Sequence, residues 1–591
     1  MRLPNPEARI WKQTNSGETP WDANLVGSFN VDLSRRPGKI SAAPRMKQAF
    51  NTTDNADLST PLSFLYFEEQ YWAFSRRVYR TGGTSNPRDS WEQVTLTDTP
   101  SLSDSVSDAV IFDNGIVVTR DTSGSNVDRY TTSGGWTTGW LSIPLTILVA
   151  HPMETITIGS PVLCIGNGNV LATVTGSGSY TYTAARLTLD PSQRIKWIRA
   201  GTSQAYIGTQ PRRDAGRGMV YIWDGGSTQP TRSIELNSRG ACSAVVHDDI
   251  LYIVTVEGEI QRLDGSGFTT VGKFPVFNTG RKPLAADAQQ LNRLPVHQRG
   301  SAVRRGKILF NLQGGLMYND TLYVPYNNSG IWEYDPQTGS LSHKYGFGNN
   351  KDGDGDFGQP FAADASRNYC GAIMTQTMFG DITLLAGFGY TTTSSKSSNT
   401  AVAIFYDDID ETQPTVARVV FPQAFTKDIS GFHNTVVLKY QPMRNATDQI
   451  VVKYRTTEKD PITANVTWTN ATTFTTTTDI SKAVVGEEVF VLQANGGGDS
   501  AQITNISETS GTYTVTLSRS IIGVSASNTG KVTIQNWKLL DSFNDMVGST
   551  RNITAPTDAG AWLQVMVELR GTPSSPILEE VAVLDDKSQQ L

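Results

Sequence analysis

Three aspartates at every second position, Asp352, Asp354 and Asp356 in the string NNKDGDGDFG (349–358), are the most site-like feature of the sequence. Carboxylate oxygens spaced in this way converge on one calcium ion in acidic loops. An EF-hand loop would also need Gly where Phe357 stands and Glu where Ala363 stands, and neither is present. The preferred reading is a solvated acidic turn, with calcium the one cofactor the pattern could take. The five histidines are scattered; His247 sits in an HDD turn and His297 in a basic loop, so both read as structural or solvated. Cys164, Cys242 and Cys370 lie far apart without a CxxC pair, which excludes a thiolate zinc site and a disulfide framework. No GxSxG elbow, P-loop, HExxH or strand-following GxGxxG occurs, and no spacing singles out two carboxylates for glycosidic cleavage. The chain therefore reads as a protein without a catalytic site.

Positive charge is concentrated in two places, although the whole chain carries a formal charge of −6. Segment 280–307 holds Arg281, Lys282, Arg293, Arg299, Arg304, Arg305 and Lys307 against Asp287 alone. Such cations gain at phosphates by releasing condensed counterions. With no interleaved aromatic residue and an acidic remainder, a protein–protein contact through Arg299, Arg304 and Arg305 is the preferred reading. Residues 1–50 carry eight basic side chains against four acidic ones, and Pro4, Pro6, Pro20, Pro37 and Pro44 interrupt any regular element. The segment 1–57 thus reads as an extended basic arm, ordered by a partner touching Arg35, Arg36, Lys39 and Arg45. Addition of a strand to the chain's own sheet is the alternative. The aromatic strings YWAF (71–74) and GIWEY (330–334) could stack on a sugar, but core packing is the preferred reading.

The elements that must position these residues are β-strands. Only 284–294 (LAADAQQLNRL) has tolerable helical propensity in a chain of 591 residues. Elsewhere short apolar or alternating runs are broken by Gly, Asn, Asp and Ser, the pattern of an all-β protein. No run of 18 apolar residues offers a transmembrane helix, and the polar first 20 residues offer no secretory leader. Between 58 and 420 a loose unit repeats: an apolar strand, a tight turn, a second apolar strand, then a more polar one. Units are visible at 64–80, 109–121, 162–174, 218–226, 242–265, 314–339 and 377–408, with turns expected at Asn114, Asn167, Asp249, Asp320 and Asp381. This predicts a divergent β-propeller of about seven blades, with a stack of sandwiches as the competing architecture. After it, 421–480 and 530–591 alternate with period two and read as a β-sandwich. A small β-barrel, 481–529, is expected to interrupt the sandwich at one edge and to be separable from it.

The C-terminal succession of KYRT (453–456), Trp468, VGEEVFVL (485–492) and LQVMVELRGTPSSPILEEVAVL (563–584) resembles modules of tailed-bacteriophage virion proteins. Preceded by a divergent propeller and a segment containing SRRPGKISAAPRM (34–46), it resembles the tail nozzle (tail tubular B) and related minor tail proteins. The resemblance implies a structural subunit of the virion tail, made in the host cytoplasm. It further implies a homo-oligomeric ring, read as a hexamer, that meets other tail or connector proteins. DNA would pass through the lumen without sequence recognition, and no membrane insertion is implied. The similar proteins are longer than this chain and carry an extra platform domain. The alternative is a host-surface carbohydrate-binding or glycan-cleaving, sialidase-like propeller, for which repeated Asp boxes are missing.

Overall fold

A computed structural model describes residues 12–13, 24–25, 27–29, 31–33, 39–43, 46–52, 63–74, 78–82, 91–94, 106–120, 126–142, 151–212, 216–274, 299–312, 330–346, 368–378, 381–391, 400–407, 415–421, 424–425, 433–456, 459, 462–492, 498–521, 523–555, 562–572 and 574–585. The fold is all-β, with no helix among these residues. The segment 284–294, the turn at Asp320 and the residues Arg35, Arg36, Arg45, Asp352, Asp354 and Asp356 lie outside the described residues.

Among the described residues, seven four-stranded antiparallel sheets follow one another along the chain, in the manner of propeller blades. Six are meanders whose strands fall within 63–94, 106–142, 153–188, 193–235, 241–273 and 301–346. The seventh takes three strands from 368–407, and its fourth is Met46–Thr52, paired antiparallel to Thr400–Asp407. The first strand of each sheet packs on the first strand of the next, and that of the seventh packs on that of the first.

Period-two alternation explains why the sheets must stack. Trp72 and Phe74 point from the first sheet into a cluster with Ala109, Ile116 and Val118 of the second. Their neighbours Tyr71 and Ala73 point the other way, against Ala372, Leu385 and Ile404 of the seventh. A strand buried on both faces reads as an unbroken apolar run, as YWAF does. Analogous apolar clusters fill the remaining gaps between consecutive sheets. Packing is tight where Trp197, fully buried in the fourth sheet, lies across Gly208; a Cβ on Gly208 would stand 2.0 Å from the indole. Gly208→Ala is expected to lower stability by about 1–3 kcal/mol through overpacking, read as a lower midpoint in urea unfolding.

The C-terminal part contains two further sheets that share one core. One includes Thr415–Val420, Gln449–Arg455 and Trp562–Gly571; the other includes His433–Gln441, Thr550–Thr554 and Ile577–Asp585. Between them lie Val419, Val452, Val567, Leu438 and Val581. Beside them is a closed six-stranded barrel, made of Ile462–Asn470, Thr473–Thr476, Glu487–Leu492, Gly498–Thr509, Thr512–Leu517 and the first part of Thr529–Phe543. Its interior is filled by Trp468, Phe474, Val489, Ile503 and Ile534.

Three expectations are corrected. The barrel begins at Ile462 rather than 481, because 462–476 alternates in the same way whether it lines a barrel or a flat sheet. It is also not set apart at one edge, since Thr529–Phe543 runs without a break from barrel to sheet. The basic segment is not an arm awaiting a partner, because its described strands lie on the chain's own sheets. Gly27–Phe29 pairs with Thr415–Val420, Ile40–Ala42 pairs with Ile577–Asp585, and Met46–Thr52 completes the seventh sheet. Val31 and Ile40 are fully buried in the C-terminal core, and Ala43 is buried between the sixth and seventh sheets. The missing burial is supplied from within the molecule.

Candidate functional site: ion clusters on the ring axis and at the barrel

Asp108 stands on the innermost strand of the second sheet, where its side chain is 1% exposed. Its Oδ1 accepts the Ala109 amide at 2.9 Å and its Oδ2 the Met153 amide at 2.8 Å. Arg299, just before the first strand of the sixth sheet, donates Nε to Oδ1 at 3.0 Å and Nη2 to Oδ2 at 3.1 Å. Its Nη1 reaches Glu154 of the third sheet at 3.1 Å. Arg199, on the innermost strand of the fourth sheet, lies 3.7 Å from the same Glu154 oxygen and donates Nε to the Ala244 carbonyl of the fifth at 2.7 Å. Followed through the contacts between first strands, the sixth sheet is three steps from the second and from the third, so Arg299 ties together sheets that are not neighbours.

The electrostatics suit a brace. Burial alone would lower the pKa of Arg299, but the Asp108 and Glu154 carboxylates outweigh it and the net shift is upward. Arg199 goes the other way: burial, reinforced by the charge of Arg299 and only partly offset by Glu154 and Asp108, pushes it down to about 10. A carboxylate that accepts two amides and a bidentate guanidinium has no free lone pair aimed at a substrate, which makes Asp108 a poor general base.

A second cluster lies where the barrel rests on the sheet. Arg418 reaches Glu488 at 2.7 Å and Glu568 at 2.5 Å, while Lys453 reaches Glu488 at 2.5 Å and also pairs with Glu568. Arg570 adds a 2.7 Å contact to Glu568, and Asp499 pairs with Arg519. The sequence signal for these residues was weak: single charges at alternate positions of apolar strands, such as Lys453 in QIVVKYR and Glu568 in MVELRG.

On the rim of the second and third sheets Arg129 lies over the rings of Trp140 and Tyr180, at 5.3 and 5.2 Å from their centroids. Hydrogen bonds from Tyr180 and Ser177 hold the Asp113 carboxyl below its ordinary range. The sugar-stacking candidates are core: Tyr71, Trp72, Phe74, Ile331, Trp332 and Tyr334 are all buried between sheets.

The expected contact residues are dispersed. Arg299 is inside the brace, and Arg304 is buried, donating to the Tyr345 hydroxyl at 3.2 Å; neither is placed for a partner contact, which corrects that expectation. Arg305 occupies a left-handed turn position, with φ 50°. Lys39 pairs with Glu579 at 2.7 Å, and Lys307 with Asp335. Among the described residues no three His, Cys, Asp or Glu side chains are grouped to hold a metal.

No family model matches the chain, and no curated protein does. Among solved structures, the computationally designed Ika8 protein superposes with a TM-score of 0.34 at 8% identity, over 61% of this chain and 99% of that one. A chain from the structure of BBS1N in complex with ARL6DN gives 0.34 at 13% identity, over 62% and 98%. AztD of Citrobacter koseri gives 0.31 at 14% identity, over 48% and 70%. Likeness at this level carries no argument about function.

Proposed function

We propose that the chain is a non-enzymatic structural subunit of a bacteriophage tail, located in the virion. In this reading its seven sheets are the blades of one closed propeller and its C-terminal pair of sheets is a β-sandwich. Copies form a homo-oligomeric ring, read as a hexamer, around the DNA exit path and next to other tail or connector proteins. The observation that carries the reading is the use of buried charge as bracing. Arg299 ties opposite sides of the ring together, and the N-terminal strands thread the propeller-like part into both C-terminal sheets. A part that bears load gains from such cross-links, each of which resists shear between sheets. The resemblance of the C-terminal succession to virion modules supplies the setting. The alternative, a glycan-binding propeller, would use exposed aromatic faces, and the faces of Trp140 and Tyr180 are shared with Arg129.

Quantitative mass spectrometry of purified particles is expected to find this chain at a fixed stoichiometry matching a ring. Its absence from particles, or a glycan pull-down by the isolated monomer, would overturn the proposal.

A further inference from the structure

Among the described residues, the barrel meets the sheet through a surface unlike the apolar contacts between the propeller-like sheets. Val489, Val491, Val532 and Ile534 point into the barrel, so the alternate residues Glu488, Phe490 and Thr533 form its outer wall. On the sheet, Ala417, Val419, Val452 and Val567 face the C-terminal core, so Arg418, Lys453 and Glu568 face the barrel. Where the propeller-like sheets meet through Trp, Tyr, Ile and Val, this joint is mostly charge. Its apolar part is Val420, Trp537 and Met566, with Phe490 lying 4.0 Å beneath the Arg418 guanidinium. Arg418 Nε and Nη1, Glu488 Oε2 and Thr533 Oγ1 are buried there without a hydrogen-bond partner. Buried donors and acceptors of this kind weaken a closed contact relative to an open, hydrated one.

The strand that links the two parts is built to bend at the joint. Thr529–Ile534 pairs with the barrel strand Ile462–Asn470, and Lys538–Phe543 pairs with the sheet strand Gln449–Arg455. Between them the register jumps: Glu488 is opposite Gln535 and Glu487 is opposite Lys538, leaving Asn536 and Trp537 as extra residues. A bulge of this kind kinks a strand without breaking its course.

We propose that the barrel is a hinged module that swings off the sheet about the Asn536–Trp537 bulge when the carboxylates Glu488 of the barrel and Glu568 of the sheet take up protons. The inference does not depend on the tail reading. The groups facing Glu488 and Glu568 are Arg418, Lys453, Arg455 and Arg570 from the sheet, and Ser500 and Asp499 with its partner Arg519 from the barrel; Lys459 and Glu487 pair at the rim. Burial would push both carboxyls up, but Arg418 and Lys453, joined for Glu568 by Arg570, outweigh it and hold them down. Carboxyls lowered in the closed state stabilise it fully above their ordinary range, about pH 4.3, and that stabilisation is lost as pH falls through the lowered values.

The test is a distance measurement between spin labels on Thr509→Cys, at the exposed end of a barrel strand, and Asn552→Cys, on the edge strand Thr550–Thr554 of the second C-terminal sheet, with Cys242→Ser and Cys370→Ser. One short distance is expected at pH 7.5. A second, longer one is expected to appear below about pH 4 while far-UV circular dichroism is unchanged, and to vanish on neutralisation. Replacing the four central charges together (Arg418→Met, Lys453→Met, Glu488→Met, Glu568→Met) is expected to keep the short distance throughout that titration. A single distance up to global unfolding, or acid opening that persists in the fourfold variant, would overturn the hinge.

Discussion

Deletion of residues 1–52 is expected to leave a chain that no longer folds cooperatively, rather than a soluble monomer that merely fails to assemble. The deletion removes Met46–Thr52, so Thr400–Asp407 becomes an unpaired edge in the seventh sheet. It also empties the positions of Val31 and Ile40, both fully buried in the C-terminal core. Burying side chains of this size contributes about 1.5–3 kcal/mol each, against a total stability on the order of 5–15 kcal/mol. Asp32, which faces the buried Lys344 at 3.6 Å from the C-terminal side, is lost as well. Loss of the sharp transition in calorimetry, with aggregation on heating, is the expected reading. A truncated chain that stays monomeric and melts within a few degrees of the intact protein would show that these strands are dispensable additions.

Replacing Arg299 by Met is expected to cost about 3–5 kcal/mol, the range for removing one partner of a buried ion pair. The cost comes from Asp108, left at 1% exposure without its guanidinium partner. Arg299→Lys is expected to recover only part of the loss, because an ammonium cannot bind both Asp108 oxygens and Glu154 in one planar fork. Adding Asp108→Asn to Arg299→Met is expected to recover more than the lysine does, since the amide oxygen still accepts one of the two backbone amides and position 108 no longer carries a charge. Urea unfolding midpoints decide the order. A cost below about 1 kcal/mol for Arg299→Met would place the pair among those that contribute little, and the brace would not be structural.

Much of the local architecture was legible because it depends on neighbours in sequence. Asp113–Asn114, Asp248–Asp249 and Ser510–Gly511 adopt left-handed turn conformations in tight hairpins, at the residue types such turns favour. The same rule missed Glu68–Glu69, which makes an equivalent turn with φ of 48° and 61° although glutamate is a poor residue for it. There the apolar strands on both sides impose the turn, and packing overrides local preference. Turn chemistry also marked Asn167, whereas the left-handed residue is Gly168. The fourth unit, read as 218–226, begins earlier, with the strand Gln193–Ala200 that holds Trp197, because an apolar strand does not record which neighbour it joins.

By itself, then, the sequence determined the all-β class, the stacking of sheets buried on both faces and most of the hairpins. Each of these follows from side-chain alternation and backbone preference within a few residues. Only the tertiary structure decided where charge and chain ends go. Arg299 pairs with Asp108, 191 positions away, and Met46–Thr52 completes a sheet whose other strands begin at Asn368. Lys453 and Glu568, 115 positions apart, pair at the joint between barrel and sheet. A lone Arg, Lys or short strand carries the same composition whether it faces water, a partner or its own chain. What distinguishes these fates is the desolvation that packing imposes and the partner it brings within reach, and both arise only when distant segments meet.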